Sequence, residues 1–243
     1  MFPPRLFSPA PLAPGVEIEL SEDASRHVAQ VLRMRRGDAL TLFDGRGGEY
    51  DGVIGSFGKR AVTVAIAARR ELERESALKV TLAQGVSAGN RMDFTVQKAI
   101  ELGVSLIQPL ATRRSVPRLA GARAEERVAH WQRVAISACE QCGRNRVPTV
   151  APLQPLADWL EQKTDRGAAL VLLPGAPLRL RELSPPEAGL TLCVGPEGGF
   201  SSEEQASTQA AGFQAVRLGP RVLRTETAAL AALAAIQALW GDF

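Results

Sequence analysis

The sequence predicts an α/β protein in two parts: a small antiparallel β-barrel over residues 1–72 and a parallel sheet covered by helices over residues 73–243. Three observations predict it. The first seventy residues alternate apolar and polar side chains with a period of two, broken by glycine turns. After residue 77, strand-like runs alternate with helical patterns. Several of those later runs, such as 168–173 (Ala-Ala-Leu-Val-Leu-Leu), are apolar throughout, which is the pattern of strands buried on both faces.

Residues 16–20, 39–43, 50–54 and 61–66 read as the barrel strands, with turns at 44–48 and 55–58. One helix interrupts them. Ser21 or Asp23 can cap it, and His27, Val28, Val31 and Leu32 fall on one face. A basic turn over 33–38 follows. Residues 69–76 are charged and aperiodic, which places the boundary there. The second part then runs strand 78–83, helix 92–102 ending at Gly103, strand 104–110, long helix 122–142 and short helix 156–162. Strand 168–173, strand 190–194, helix 202–211, strand 214–218 and helix 225–240 complete it.

Bulk properties exclude several classes. With 45% apolar residues the chain has material for a real core. The longest apolar run, 228–239, is too short and too alanine-rich to span a bilayer. Residues 1–7 lack the basic and apolar regions of a signal peptide, so a cytoplasmic location is expected. Three cysteines, at 139, 142 and 193, do not make a disulfide framework. Cys139 and Cys142 are spaced like a zinc or redox pair, but no second pair exists and His27 and His130 are the only histidines, so helix packing is expected and no metal. The net charge is only +3, yet arginines cluster at 33–36, 113–123 and 144–146, a pattern suited to phosphate.

The chemistry concentrates in two glycine-proline loops. In Val194-Gly-Pro-Glu-Gly-Gly-Phe-Ser201 and Leu218-Gly-Pro-Arg-Val-Leu-Arg-Thr-Glu-Thr-Ala228, an apolar strand stops at glycine, crosses a loop and enters a helix. Ligands in open α/β sheets bind at the carboxyl ends of strands, and these loops, with Leu173-Pro-Gly-Ala-Pro177, lie there. Glycine admits close approach to the main chain, and proline stiffens it. Ser201 and Glu204 form a capping box, and Thr225 can cap the last helix with Glu226 in its first turn. No phosphate-binding P-loop, no dinucleotide fingerprint and no serine nucleophile elbow occur.

On these loops the chain resembles the RsmE-type ribosomal RNA uridine-N3 methyltransferases of the SPOUT superfamily. Pro4-Arg-Leu-Phe7, Arg26 to Asp38, Gln97-Lys-Ala-Ile-Glu-Leu-Gly-Val104 and Cys139-Glu-Gln-Cys-Gly-Arg-Asn-Arg-Val-Pro148 extend the likeness over nearly the whole chain. The resemblance implies a SPOUT-type parallel sheet with a trefoil knot, a PUA-like RNA-binding barrel and a homodimer with its active site between subunits. It also implies S-adenosylmethionine as cofactor and 16S ribosomal RNA, within the small ribosomal subunit, as substrate. Carried over by motif, the cofactor positions are Leu172, Leu173, Pro174, Gly195, Pro196, Glu197, Gly198, Leu218, Gly219, Leu223, Arg224, Thr225 and Ala228. Pro174 departs from the glycine or aliphatic residue expected there.

Methylating uracil N3 requires removal of its proton and stabilisation of the resulting charge. Arg224 is the expected electrostatic partner, with Glu140 or Glu226 assisting; the alternatives are bracing of the loop for Arg224, the helix dipole for Glu226 and an ion pair with Arg144 for Glu140. Glu197 is expected to lock its own loop, and His130 to be structural. RNA contacts are expected from Arg5, His27, Arg33, Arg35, Arg113, Arg144 and Arg146. Two rival readings remain: a related knotted enzyme acting on another RNA position, such as a ribose 2′-hydroxyl, and a non-catalytic RNA-binding protein. The intact glycine turns speak against the second.

Overall fold

The structure, a computed structural model, describes residues 3–59, 61–116, 118–162 and 164–243. Met1 and Phe2, part of the signal-peptide reading, lie outside the described residues. The chain divides into two compact units, Met1–Glu75 with Cys139–Val147, and Ser76–Ala138 with Pro148–Phe243. The first unit therefore recruits nine residues from the middle of the chain.

That unit is built on a five-stranded sheet in the order β1-β3-β4-β5-β2. Its strands are β1 (Arg5–Phe7), β2 (Glu17–Glu19), β3 (Ala39–Phe43), β4 (Glu49–Phe57) and β5 (Val62–Arg70). All pairings are antiparallel except β1 with β3. The period-two pattern does its expected work: Leu40, Leu42, Tyr50, Ile54, Val62, Val64 and Ile66 turn inward onto one apolar core. The turn over 44–48 joins β3 to β4, whereas β4 continues through the predicted turn at 55–58 with a register shift between Ile54 and Phe57.

Helix α1 (Glu22–Arg26) is capped by Ser21, whose hydroxyl accepts from the Ala24 N–H at 3.2 Å. A π-helical turn then runs over His27–Val31. The wider turn rotates the expected apolar face. Val28 is fully buried, but His27 and Val31 point to solvent. Arg33 follows in the left-handed region at φ 52°, the only non-glycine residue of the described chain to do so.

The second unit carries an eight-stranded parallel sheet, seven strands in the order β11-β13-β10-β12-β6-β7-β8 and β9 paired to β7 off that path. The strands are β6 (Val80–Gly85), β7 (Leu106–Ala111), β8 (Thr149–Val150), β9 (Gln154–Pro155), β10 (Ala168–Leu172), β11 (Leu178–Arg179), β12 (Leu190–Val194) and β13 (Gln214–Arg217). The helices are α2 (Arg91–Glu101), α3 (Ala122–Cys142, whose last four residues belong to the first unit), α4 (Leu156–Glu161), α5 (Ser202–Ala210) and α6 (Thr225–Trp240). Burial on both faces falls on the central β12, all five of whose residues are buried, while β10 starts exposed and is buried only toward its carboxyl end. Each large apolar side chain so buried contributes about 1.5–3 kcal/mol.

Among the described residues no helix is long and apolar enough to cross a membrane. His130 lies on α3 and pairs with Asp93 of α2 at 2.9 Å, and Trp131 donates to the same carboxylate at 3.0 Å, so this histidine ties two helices. Cys139 is buried, its Sγ 3.8 Å from the Arg146 carbonyl, and burial pushes its thiol up to about 12. That is the chemistry of an inert packing thiol.

Candidate active site

The carboxyl ends of β10, β12 and β13 open into one cavity of about 390 Å³. The two glycine-proline loops and the loop after β10 wall it. Leu172 ends β10 and Leu173 and Pro174 follow it, Gly195 to Gly198 come from the first glycine loop, and Leu218, Gly219 and Leu223 from the second. Thr225 and Ala228 enter from the first turns of α6. Of the sequence-derived cofactor positions only Arg224 does not line it; the side chain is exposed and the residue is the N-cap of α6.

A residue the sequence reading passed over organises these loops. Gln84, the penultimate residue of β6, is completely buried. Its Nε2 donates to the Gly85 carbonyl at 3.0 Å, to Thr225 Oγ1 at 3.0 Å and to the Gly195 carbonyl at 3.3 Å. Thr225 Oγ1 in turn donates to the Gly195 carbonyl at 2.6 Å. The expectation that Thr225 caps α6 is thereby corrected. It is the first helical residue, and its hydroxyl ties the helix to the first glycine loop instead. Next to Gln84, Gly85 presses on that loop: a methyl carbon placed there would stand 2.6 Å from Pro196 Cδ and 2.7 Å from the Pro196 nitrogen. No local signal marks Gln84, because Thr81 makes the same strand polar elsewhere and the partners of Gln84 lie more than a hundred residues away.

Charged groups lock the first glycine loop from outside. Glu197 Oε1 accepts from the Ala88 N–H at 2.8 Å and from Arg91 Nη1 at 3.0 Å, which fixes it to the segment after β6. Arg114, which also lines the cavity, donates to the carbonyls of Gly198 at 2.8 Å and Phe200 at 3.4 Å. The capping box is present as expected. Ser201 Oγ accepts from the Glu204 N–H at 3.2 Å, and Glu204 Oε2 accepts from the Ser201 N–H at 2.8 Å.

The other expected residues divide by environment. Glu226, in the first turn of α6, has a buried Oε2 without a hydrogen-bond partner among the described residues. Glu140 belongs to the first unit, where its Oε1 accepts from the Phe7 N–H at 3.0 Å and burial raises its pKa. His27, Arg33 and Arg35 are exposed. Arg113 is exposed and pairs with Glu203 at 2.8 Å. Arg146 is exposed and lies 3.7 Å from Glu73.

Arg5 and Arg144 need correction as RNA contacts. Arg5 is largely covered, pairs with the buried Glu49, and donates to Asn145 Oδ1 at 2.6 Å. Arg144 grips Glu75 with two bonds, at 3.0 and 2.5 Å, and its side chain is 5% exposed. A covered guanidinium committed to a carboxylate is not presented to a phosphate.

The sheet and its loop-built cavity define an α/β ligand-binding domain, and comparison with known proteins gives its family. The family described as an RNA methyltransferase domain matches residues 74–237, and an RNA methyltransferase PUA domain matches residues 20–67. The ribosomal RNA small subunit methyltransferase E of Buchnera aphidicola (from Acyrthosiphon pisum) is 32% identical over 92% of this chain and 88% of its own length. The crystal structure of a ribosomal RNA small subunit methyltransferase E from Neisseria gonorrhoeae, bound to S-adenosyl methionine, superposes with a TM-score of 0.95 at 42% identity, covering 99% of both chains. A putative methyltransferase from Legionella pneumophila, in complex with the same cofactor, superposes at 0.96 with 40% identity over the full length of both. The chain belongs to the RNA methyltransferase family.

Proposed function

We propose that this protein transfers a methyl group from S-adenosylmethionine to N3 of a uridine in the RNA of the small ribosomal subunit. The observation that carries the reading is the cavity built from both glycine-proline loops, in a chain whose relatives of the same fold bind that cofactor.

The residues present fit the cofactor. Leu172, Leu218, Leu223 and Ala228 offer apolar surface for an adenine ring, and the glycine-rich loops offer main-chain donors and acceptors for its polar edge. When bound, S-adenosylmethionine supplies an electrophilic methyl on a sulfonium. The chain's own task is then alignment and charge. The lock formed by Gln84, Thr225 and Gly195 holds the loops in one geometry before substrate arrives. Arg224, standing at the N-terminus of α6, faces the negative charge that spreads over the uracil ring as N3 loses its proton. Glu226 accepts that proton, a role its unpartnered buried oxygen supports. Glu140, whose carboxyl pKa is held above the usual range by burial, is the alternative, supplied by a second subunit.

Exposed Arg33, Arg35, Arg113 and Arg146, with His27, contact RNA phosphates and bases. The active unit is a homodimer with a trefoil knot in each second unit, and it works in the cytoplasm. The surface of α6 supports dimerisation. It carries no charged residue after Glu226, it packs against α2, and Leu239 on α6 and Phe94 on α2 are each 46% exposed. Mass spectrometry of nucleosides from the ribosomal RNA of a deletion strain tests the function. Loss of one N3-methyluridine, restored by the wild-type gene, is expected; an unchanged methylation pattern refutes it.

A further inference from the structure

The same edge of the sheet holds a second cavity, of about 260 Å³, which the cofactor reading leaves unused. Leu119 and Leu153 give it apolar walls, and Ser115, Arg113 and Arg118 give it a polar, cationic rim. Its position follows from the strands: Val86 comes directly after β6, Ala111 ends β7, and Leu153 immediately precedes β9.

The rim is rigid. Within the turn over 112–115, the Ser115 N–H donates to the Thr112 carbonyl at 3.1 Å, and the Thr112 N–H donates to Ser115 Oγ at 3.1 Å. The Arg113 N–H donates to Glu204 Oε1 at 2.7 Å, which ties the turn to α5. This turn also separates the two cavities. Arg113 lines the second and Arg114 lines the first. The two cavities are thus lined by neighbouring residues of one turn.

We propose that this second cavity receives a nucleotide of the RNA next to the one being methylated, its base lying against Leu119 and Leu153 and its phosphate meeting Arg113 and Arg118. The inference rests on the methyltransferase reading above. A base drawn out of folded RNA for chemistry leaves its neighbours unstacked, and unstacked bases are held by apolar walls and arginine planes. A flanking subsite of this chemistry offsets part of the unstacking cost and selects the sequence around the target.

Leu153→Trp and Leu119→Trp fill the cavity; Arg118→Gln removes one cation from its exposed rim. Steady-state methyl transfer to purified small ribosomal subunits, together with calorimetry of S-adenosylmethionine, reads the result. The expected outcome is a KM for the RNA substrate raised tenfold or more in the Trp variants, with cofactor affinity unchanged. Arg118→Gln should raise KM and lower the slope of log affinity against log salt by about one. A KM within twofold of wild type in Trp variants that still bind cofactor overturns the proposal. Should those variants fail to bind cofactor, Arg118→Gln decides: an unchanged KM and salt slope overturns it equally. Absence of any methyl transfer by the wild type overturns the methyltransferase reading, and this inference with it.

Discussion

Replacing Gly85 by alanine tests whether the cofactor cavity is held by close packing of β6 against the first glycine-proline loop. The added methyl carbon would meet Pro196 Cδ at 2.6 Å, the Pro196 nitrogen at 2.7 Å and the Gly195 carbonyl carbon at 3.1 Å. Two of the three are main-chain atoms, so no rotamer change relieves the contact, and the loop itself must shift. Gly85 does not have a positive φ, so alanine is not disfavoured there by backbone conformation. Overpacking of this kind costs about 1–3 kcal/mol. The Gly195 carbonyl is also the acceptor shared by Gln84 and Thr225, so displacement strains that lock as well. If the cost falls on the ligand-ready loop geometry, affinity for S-adenosylmethionine drops by about one to two orders of magnitude. Isothermal titration calorimetry measures this, with circular dichroism confirming the fold. A Gly85→Ala protein with wild-type structure and wild-type affinity would refute the argument.

Three further substitutions separate the roles assigned above. Arg224→Ala should lower kcat about 10²–10³-fold while leaving cofactor affinity near wild type, since Arg224 does not line the cavity; rapid-quench methyl transfer and calorimetry read the two quantities. Glu140→Gln should stabilise the protein at neutral pH. The folded-state pKa of Glu140 is raised by burial, so its stabilising contribution is complete below the unfolded value of about 4.3 and is lost as pH rises through the raised folded value. The amide oxygen can still accept from the Phe7 N–H, so urea midpoints should exceed wild type at pH 7 and converge with it near pH 4; midpoints that coincide at both would contradict this. Arg144→Ala should cost about 1–3 kcal/mol in urea unfolding, because it leaves the largely covered Glu75 carboxylate without its guanidinium, whereas Arg146→Ala should cost little stability and weaken RNA binding in a salt-dependent way.

The sequence carried the elements that local chemistry fixes. The last helix and strand β12 have the predicted bounds, because each is an apolar run that stops at a glycine, Gly241 after the helix and Gly195 after the strand. Most of the cavity lining was legible for the same reason, since it consists of loops that follow those strands. What escaped depends on distant partners. Strand β1 has only three residues and exists through its parallel pairing with β3. Residues 139–147 join the first unit through contacts such as those of Arg5 with Asn145 and of Phe7 with Glu140, which no periodicity encodes. Arg5 and Arg144 looked like RNA contacts because an arginine's chemistry is visible in sequence while its buried carboxylate partner is not. Gln84 reads as an ordinary strand residue until Thr225 and Gly195 are brought to it.

The central claim is that this cavity serves methyl transfer to uridine N3. Its most direct test incubates the purified protein with methyl-labelled S-adenosylmethionine and undermethylated small ribosomal subunits, then digests the RNA and identifies the labelled nucleoside by mass spectrometry. Label in a single N3-methyluridine is the predicted result. Label on a ribose 2′-oxygen, on another base, or nowhere in the RNA would contradict it.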